Sequence, residues 1–341
     1  MSRHQKKNSF LNKLLYFVNS IFAATLLLSY FLSFVSPKTV PVFSVASLAV
    51  PFLIFVNFAF LLYWVIKLKK YFILSGIVLL IGWLFFPPLL KFTKKNIALN
   101  SDVKIMSYNV RMFNVYKWTE EEGIGEKIIQ FIKDKDPDIL AIQEYYHSKD
   151  TQLKYPYHYF APKSKKNNFG LALFSKYKII NKGSLNFKNS ANNAIFIDIV
   201  KGKDTIRIYN LHLQSLKLNP QKENFGEANS EKLIGRLKRG FIQQANQVEQ
   251  FLKHETTWKG KKVICGDFNN TAFSWVYRQL AKNKKDAFNV AGINFGKSYN
   301  YFFPVRIDFI LTDTKTKIHN FKTYSEKLSD HYPIMSRINF E

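Results

Sequence analysis

The sequence of 341 residues predicts an α/β domain that follows about three transmembrane helices. Three observations lead to this prediction. Long apolar runs fill most of the first 90 residues, and the rest of the chain alternates strand-like runs with amphipathic segments. Polar residues recur where the strand-like runs end, and they locate a candidate functional site.

The first third of the chain has the composition of a membrane region. Its apolar runs span about residues 14–36, 40–66 and 71–90, and each has about the 20 residues that a helix needs to cross a bilayer. A cleaved signal peptide is an alternative for the first run, but it leaves the other two unexplained. Helices of a globular core are a second alternative, yet such helices carry polar faces, which these runs lack. We therefore assign residues 1–97 to a membrane region.

Basic residues beside the apolar runs predict the orientation of the chain. The N-terminal arm and the segment between the second and third runs hold seven Lys or Arg, against four at the opposite ends of the runs. Because positive loops favour the cytoplasmic side, the sequence predicts a multi-pass membrane protein with a cytoplasmic N-terminus. Residues 101–341 would then lie outside the cytoplasm.

The second part of the chain carries an excess of positive charge. Residues 101–341 hold all 24 acidic residues and 39 of the 50 basic ones, a net charge of +15. Such a domain attracts nucleic acid, acidic lipid head groups and other phosphates, and charge alone does not choose among them. The single cysteine, Cys265, excludes an internal disulfide and lies in an apolar run typical of a buried strand.

Strands and helices alternate along residues 101–341. Polar and apolar residues alternate in one predicted strand, and short apolar runs predict six more; the seven are Val103–Val110, Ile139–Ile142, Gly170–Ser175, Ala194–Val200, Ile206–Leu213, Lys262–Cys265 and Ile307–Leu311. Apolar residues three or four positions apart predict a helix at Ile124–Ile132 and a long one at Ile234–Leu252. These strands suffice for two sheets packed face to face.

The stretch VICGDFNN, residues 263–270, ends a predicted strand with two polar residues, Asp267 and Asn269. Strand side chains alternate between faces, so these two point the same way. A turn is the alternative explanation, with Gly266 letting the chain turn. However, acids, amides and histidines recur together near other strand ends, and turns do not require that combination; these residues are Asn109, Glu144, His212, Asp308, Asp330 and His331.

The residue types in this set suit phosphate ester hydrolysis with a hard divalent cation. Carboxylate and amide oxygens favour Mg²⁺ or Mn²⁺, and Glu144 with Asn109 offers a partial ligand shell. Zinc is disfavoured because clustered Cys or His pairs are absent from the sequence. Asp267 is placed to orient and deprotonate a water, and Asp308 to hold a histidine cationic. The groups expected to contact phosphoryl oxygens are His212, Asn269 and His331.

Six segments of the chain resemble the endonuclease/exonuclease/phosphatase superfamily, which includes pancreatic deoxyribonuclease, exonuclease III, neutral sphingomyelinases and inositol polyphosphate 5-phosphatases. They occur in the order found in that superfamily: SYNVR, ILAIQE, YNLHL, GDFN, RIDFILTD and SDHYPI. The resemblance covers about residues 103–340. It implies a four-layered α/β sandwich, two packed mixed sheets flanked by helices, and Mg²⁺-dependent phosphoesterase activity.

The resemblance also implies a role for each matching residue. The implied metal-site residues are Asn109, Glu144 and Asp330. Catalytic positions are implied for His212, Asp267, Asn269, Asp308 and His331, with Asp308 as the partner of His331.

Two departures from the family pattern affect these expectations. In the deoxyribonuclease branch a Glu just before the strand at Gly170–Ser175 supports the first histidine, whereas residues 165–168 here read KKNN. Asn168 is the candidate substitute, and it would hold His212 in a less cationic state. The Trp-Cys-Asp-Arg pattern of the inositol phosphatases is also absent, which disfavours that substrate class.

The sequence therefore predicts a membrane-anchored, Mg²⁺-dependent phosphodiesterase, with Mn²⁺ as an alternative metal, that cleaves DNA or RNA by in-line attack of water. The alternative substrates are phospholipid head groups and other small phosphate esters. A non-catalytic binding module is disfavoured, because the GDFN and SDH motifs are intact. The expected partners are the phosphate-ester substrate, favouring nucleic acid, and the lipid bilayer; no protein partner is predicted.

Overall fold

The computed structural model describes residues 3–92, 95–164, 167–188, 190–217 and 227–341. Four helices come first in the chain: α1 (Arg3–Ser29), α2 (Pro41–Ser47), α3 (Val50–Ile66) and α4 (Phe72–Phe85). A short 3-10 turn, Tyr30–Phe34, extends α1. Helices α1, α3 and α4 pack together as a bundle.

Buried polar side chains tie the three bundle helices together. The Asn19 amide of α1 donates to the Ser75 hydroxyl of α4 (2.8 Å), and Ser75 donates to Asn57 of α3 (3.1 Å). The indole N–H of Trp64, near the end of α3, donates to the Asn19 oxygen (2.8 Å). Such hydrogen bonds between helices give an apolar bundle a defined arrangement.

The expectation of three membrane-spanning helices is wrong for the described residues. One helix, Phe10–Phe34, is long and apolar enough to cross a membrane, and a signal sequence near an N-terminus would pass the same test. The second apolar run is divided between α2 and α3, which are bent by 47° and count as a span only if taken together. Helix α4 has 14 residues, about 21 Å of helix, because two prolines follow it at 87 and 88. A multi-pass topology is therefore not supported.

The described part of the remaining chain forms twelve strands and four helices. The strands are β1 (Val103–Asn109), β2 (Ile139–Tyr146), β3 (Tyr157–Pro162), β4 (Phe169–Ser175), β5 (Ile179–Ser184), β6 (Asn193–Lys201), β7 (Asp204–His212), β8 (Lys261–Asp267), β9 (Lys284–Asp286), β10 (Asp308–Asp313), β11 (Lys317–Thr323) and β12 (Ile334–Asn339). The helices are α5 (Ile124–Lys135), α6 (Glu227–Glu255), α7 (Trp275–Ala281) and α8 (Ala287–Ala291). All seven predicted strands and both predicted helices are present.

The strands form two mixed six-stranded sheets, in the orders β11-β12-β1-β2-β4-β3 and β5-β6-β7-β8-β10-β9. The central pairs β1/β2 and β7/β8 are parallel, and their neighbours are antiparallel. The two sheets face each other across a core of buried aliphatic residues, among them Ile105, Ile208 and Val263. Helix α5 covers the outer face of the first sheet, and α6 and α7 cover that of the second. The prediction of two packed mixed sheets flanked by helices is confirmed.

The helical bundle packs against one end of the sandwich. Phe273, in the loop after β8, belongs to the apolar core of the bundle. The Phe55 ring of α3 lies 5.7 Å from the Phe295 ring and 4.8 Å from the Phe303 ring. Helix α2 packs on α6, where an ion pair joins Lys38 to Glu249 (2.9 Å). Since β8 finishes beside these contacts, the bundle adjoins the end of the sandwich at which the parallel strands terminate.

Candidate active site

Strand register places three of the predicted site residues side by side. His212 ends β7 and pairs with Asp267 at the end of β8, which in turn pairs with Asp308 at the start of β10. Paired residues of neighbouring strands point to the same face, and here that face is the inner one, since Cys265 and Ile310 lie in the core between the sheets. The three side chains therefore form a row on one inner rim of the sandwich.

Gly266 lets β7 and β8 approach each other closely beside this row. Its φ is +135°, and a Cβ at this position would collide with the backbone of Leu211. The interpretation that Gly266 lets the chain turn is wrong, because β8 continues through it to Asp267.

Asn109 and Glu144 reach the site from the facing sheet. Asn109 ends β1, and alternation along β1 directs it inward with Ile105. Alternation along β2 would direct Glu144 outward, since Ile139 and Ala141 point inward. However, the register shifts between Ile142 and Tyr145, and Glu144 has a φ of +52°. This irregularity turns the Glu144 carboxylate towards the other site residues, as bulges near active sites often do.

The Asp267 carboxylate lies at the centre of the site. Its Oδ1 accepts the backbone N–H of Asn269 (2.7 Å), and its Oδ2 accepts the amides of Asn109 (3.1 Å) and Asn269 (3.2 Å). The Nε2 atoms of His212 and His331 each lie 3.6 Å from Oδ2. Burial raises the pKa of Asp267 to about 6, with His331 opposing and Asp308 adding to the rise.

His331 is held as a cation by two carboxylates. Its Nδ1 lies 3.0 Å from Oδ2 of Asp308, as the sequence predicts, and its Nε2 faces Asp267. Burial lowers the pKa of His331, but the charges of Asp308 and Asp267 outweigh that effect and raise the pKa to about 10. The backbone N–H of Asp308 donates to the Ser298 hydroxyl (3.0 Å), which fixes the start of β10.

His212 is held as a neutral imidazole. Burial lowers the pKa of His212, and Asp267 only partly opposes this effect. In the described part of the chain no acid contacts its Nδ1, and no hydrogen bond joins the Asn168 side chain to His212, although the Asn168 backbone carbonyl accepts the His147 N–H (2.6 Å). The predicted support of His212 by Asn168 is thus not observed among the described residues, and Lys165 and Lys166 lie outside them.

The Glu144 side of the site fits a divalent cation by its chemistry. Burial raises the pKa of Glu144, and the charge of Asp330 adds to the rise, so a nearby positive charge would stabilise its ionised form. Asn109 turns its amide nitrogen towards Glu144 (3.4 Å), while its oxygen accepts the N–H of Arg111 (3.1 Å). The third predicted metal residue, Asp330, pairs with the Arg111 guanidinium (2.9 Å).

A second group of residues has ligand atoms close enough together to hold a metal. Ligand atoms of Asp267, Asp308 and His331 lie within 4.8 Å of one another, and Oδ1 of Asp308 is buried without a hydrogen-bond partner. Both ring nitrogens of His331 already face a carboxylate, Nδ1 that of Asp308 and Nε2 that of Asp267. We therefore favour the Glu144 side as the place for a cation.

Several residues that position the site were not singled out in the sequence. Asn210 of β7 donates to the carbonyls of Ile142 (2.8 Å) and Ala172 (2.9 Å) in the facing sheet and accepts from Gln143 (2.7 Å). These hydrogen bonds join the two sheets just below the site. Their signal was available, since Asn210 and Gln143 precede His212 and Glu144 in the motifs YNLHL and ILAIQE.

Comparisons with known proteins match two parts of the chain to family models. Residues 106–331 match the model of the "Endonuclease/Exonuclease/phosphatase family", and residues 12–89 match that of a domain of unknown function. No curated protein sequence matches the chain.

Solved structures share the fold at low sequence identity. The catalytic domain of human nocturnin, with a bound sulfate, is 17% identical, covers 72% of this chain and 97% of its own, and has a TM-score of 0.52. An endonuclease/exonuclease/phosphatase from Bacteroides vulgatus is 18% identical, covers 71% of this chain and 100% of its own, and also has a TM-score of 0.52. Humanised TDP2 of D. rerio is 14% identical, covers 70% of this chain and 100% of its own, and has a TM-score of 0.52.

Proposed function

Because this chain belongs to the endonuclease/exonuclease/phosphatase family and is thus a phosphoester hydrolase, we propose that it is a membrane-anchored, Mg²⁺-dependent phosphodiesterase that cleaves nucleic acid. The observation that carries this proposal is the convergence of six predicted residues from both sheets on one rim of the sandwich. Those residues are Asn109, Glu144, His212, Asp267, Asp308 and His331.

Asp267 is the proposed base for the attacking water. Its raised pKa of about 6 leaves it ionised at neutral pH and makes it a stronger base than an exposed carboxylate. The Asn269 backbone N–H fixes Oδ1, and the Asn109 and Asn269 amides fix Oδ2, so the carboxylate is held in one orientation for taking the proton. Asn269 itself is fixed by a hydrogen bond to the Leu213 carbonyl (2.9 Å), and its amide is proposed to orient the scissile phosphate.

The two histidines are proposed to contact the phosphoryl oxygens in different ways. His331 is a cation, so it stabilises the negative charge that develops in the transition state or protonates the leaving oxygen. His212 is neutral and offers a hydrogen bond without adding charge. Glu144, Asn109 and Asp330 are the proposed holders of Mg²⁺, or of Mn²⁺, which when bound would neutralise phosphate charge.

The membrane anchorage is proposed from α1 and its surroundings. The helix Phe10–Phe34 suffices to cross a bilayer. Arg3, Lys6 and Lys7 precede this helix in the sequence, and the sandwich follows it. This charge distribution supports a cytoplasmic N-terminus with the catalytic domain outside the cytoplasm.

The net charge of +15 over residues 101–341 favours nucleic acid as the substrate, because phosphate contacts dominate such affinity. The full chain, purified in detergent, should nick plasmid DNA or degrade single strands with Mg²⁺. This activity should disappear with EDTA and in His331→Ala, and persist in His158→Ala, a control at an exposed histidine of β3. The absence of hydrolysis of any nucleic acid by the native chain, with either metal, would contradict the nuclease proposal.

Phosphate esters of lipid head groups are the second candidate substrate. The observation that favours them is the contact between the bundle and the loops beside the site, through Phe273, Phe295 and Phe303. Release of a phosphorylated head group or inorganic phosphate from vesicles, in preference to nucleotide release, would select this alternative.

A further inference from the structure

A row of ring contacts connects the membrane bundle to the active site. Starting at Phe55 of α3, successive ring centroids lie 4.8, 6.0, 4.5, 6.4 and 5.0 Å apart along the series Phe55, Phe303, Phe302, Tyr301, Tyr299 and His331. Four of these rings belong to one short segment, Tyr299–Val305, which we call the aromatic hairpin.

The aromatic hairpin is fixed to the active site at its base. Ser298 and Tyr299 donate backbone N–H groups to the Val305 carbonyl, which closes the hairpin. Asn300 donates its N–H to the Asp330 carbonyl (2.7 Å), and the Tyr299 ring meets the His331 ring edge-on. The position of the hairpin is therefore set by the same backbone that carries Asp330 and His331.

The tip of the aromatic hairpin is exposed and apolar. Phe302 is 82% exposed, whereas its neighbours Tyr301 and Phe303 are partly covered. Contiguous exposed apolar patches, unlike single exposed residues, mark sites of interaction, so the surface that surrounds Phe302 decides its significance.

The exposed ring continues the apolar surface of the bundle. Phe302 touches Phe303, and Phe303 packs on Phe55, whose helix exposes Phe52, Phe58 and Leu62. Aromatic side chains at the end of an apolar bundle occupy the boundary between lipid and water. The bundle that contains the candidate span Phe10–Phe34 therefore has an apolar surface that continues into the hairpin.

We propose that the aromatic hairpin contacts the lipid bilayer, with Phe302 inserted at the boundary between head groups and acyl chains. The entrance of the active site then faces the head-group layer of the same membrane. This inference rests on the proposed membrane anchorage and adds to it a second contact, which sets the angle of the catalytic domain on the membrane.

Spin labels on introduced cysteines test this proposal in the full chain. The only native cysteine, Cys265, is buried, so a thiol-reactive nitroxide labels the introduced position. Phe302→Cys reports on the hairpin, Ile21→Cys on the exposed face of α1, and Lys203→Cys on the turn at the opposite end of β7 from His212. The chain is reconstituted in nanodiscs of phosphatidylcholine and phosphatidylglycerol, and relaxation by oxygen and by a water-soluble nickel chelate is measured at each label.

We expect the Ile21 and Phe302 labels to show high oxygen and low nickel relaxation, and the Lys203 label the reverse. A Phe302 label that behaves like the Lys203 label, while the Ile21 label is in lipid, would overturn the hairpin contact and leave the anchorage intact. An Ile21 label that lies in water would overturn both the hairpin contact and the membrane anchorage. Protection of the Phe302 label only when single-stranded DNA is added, with EDTA present, would assign the hairpin to substrate and also overturn the proposal.

Discussion

Asp308→Asn removes a negative charge beside His331 and preserves the size of the side chain. Burial lowers the pKa of His331, but Asp308 and Asp267 together raise it from 6.5 to about 10. That rise corresponds to about 5 kcal/mol in favour of the imidazolium, and Asp308 is its largest favourable source. If Asp308 supplies half of this energy, its loss lowers the pKa of His331 to about 8.

The proposed reaction needs a protonated His331 and an ionised Asp267. The rate is therefore lost as pH rises through the pKa of His331 and as pH falls through that of Asp267. Both pKa values fall in the variant, because the Asp308 charge also adds to the rise that burial causes in the pKa of Asp267. The whole bell-shaped profile should move to lower pH. Relative to the rate at pH 7, the variant should lose about 20-fold more activity than the native chain at pH 9.5.

The assay is kcat/KM between pH 5 and pH 10 on the substrate that the native chain cleaves best. Asp313→Asn is the matched control, since Asp313 lies at the other end of β10 and accepts the Lys262 N–H (2.8 Å). The control should leave both limbs of the profile unchanged. A lower rate in Asp308→Asn with both limbs still in their native positions would refute the assigned charge on His331.

Gly266→Ala should lower the free energy of unfolding by about 3 kcal/mol or more, because a Cβ there meets the Leu211 backbone. Gly235→Ala in α6 is the control and should leave the free energy of unfolding equal or slightly higher. Urea titration of both variants measures these changes. Asn210→Ala should lower the free energy of unfolding by about 2–4 kcal/mol in the same titration, because it deprives two buried carbonyls of their donor. A loss below about 1 kcal/mol would contradict the role of Asn210 in joining the two sheets. Glu144→Gln should raise the Mg²⁺ concentration for half-maximal rate about tenfold or more, and Glu126→Gln in α5 should not; equal metal dependence in the two variants would exclude Glu144 as a ligand.

The row of polar side chains in the second sheet could be anticipated from local pattern. Alternation along a strand fixes the face of each residue, and Asp267 follows two apolar positions whose faces are clear. The ends of the parallel strands β7 and β8 lie at the same edge of the sheet, so His212 and Asp267 meet. The pairing of Asp308 with Asp267 needed the register of β10 against β8, which neither the local pattern nor the motif resemblance supplied.

Glu144 and the membrane region show what local pattern cannot supply. Alternation alone would direct Glu144 away from the site, and only the left-handed conformation at that position turns it inward. The apolar run at residues 40–66 has the composition of a span, yet Val45 and Leu48 pack on α6 of the sandwich. Hydropathy indicates that a residue is buried away from water, but it does not show whether lipid or another part of the chain buries it.

The ionised groups of the site do not balance in charge. With all groups in their ionised forms, four carboxylates (Asp267, Asp308, Asp330 and Glu144) face two cations, Arg111 and His331. Burial has lowered the pKa of His212, so it adds no third positive charge. The rim thus has two negative charges in excess within a poorly solvated space, where burial is the main cause of the raised pKa values of Glu144 and Asp267. One divalent cation beside Glu144 would balance this excess, and for that reason the neutral state of His212 supports the proposed metal requirement.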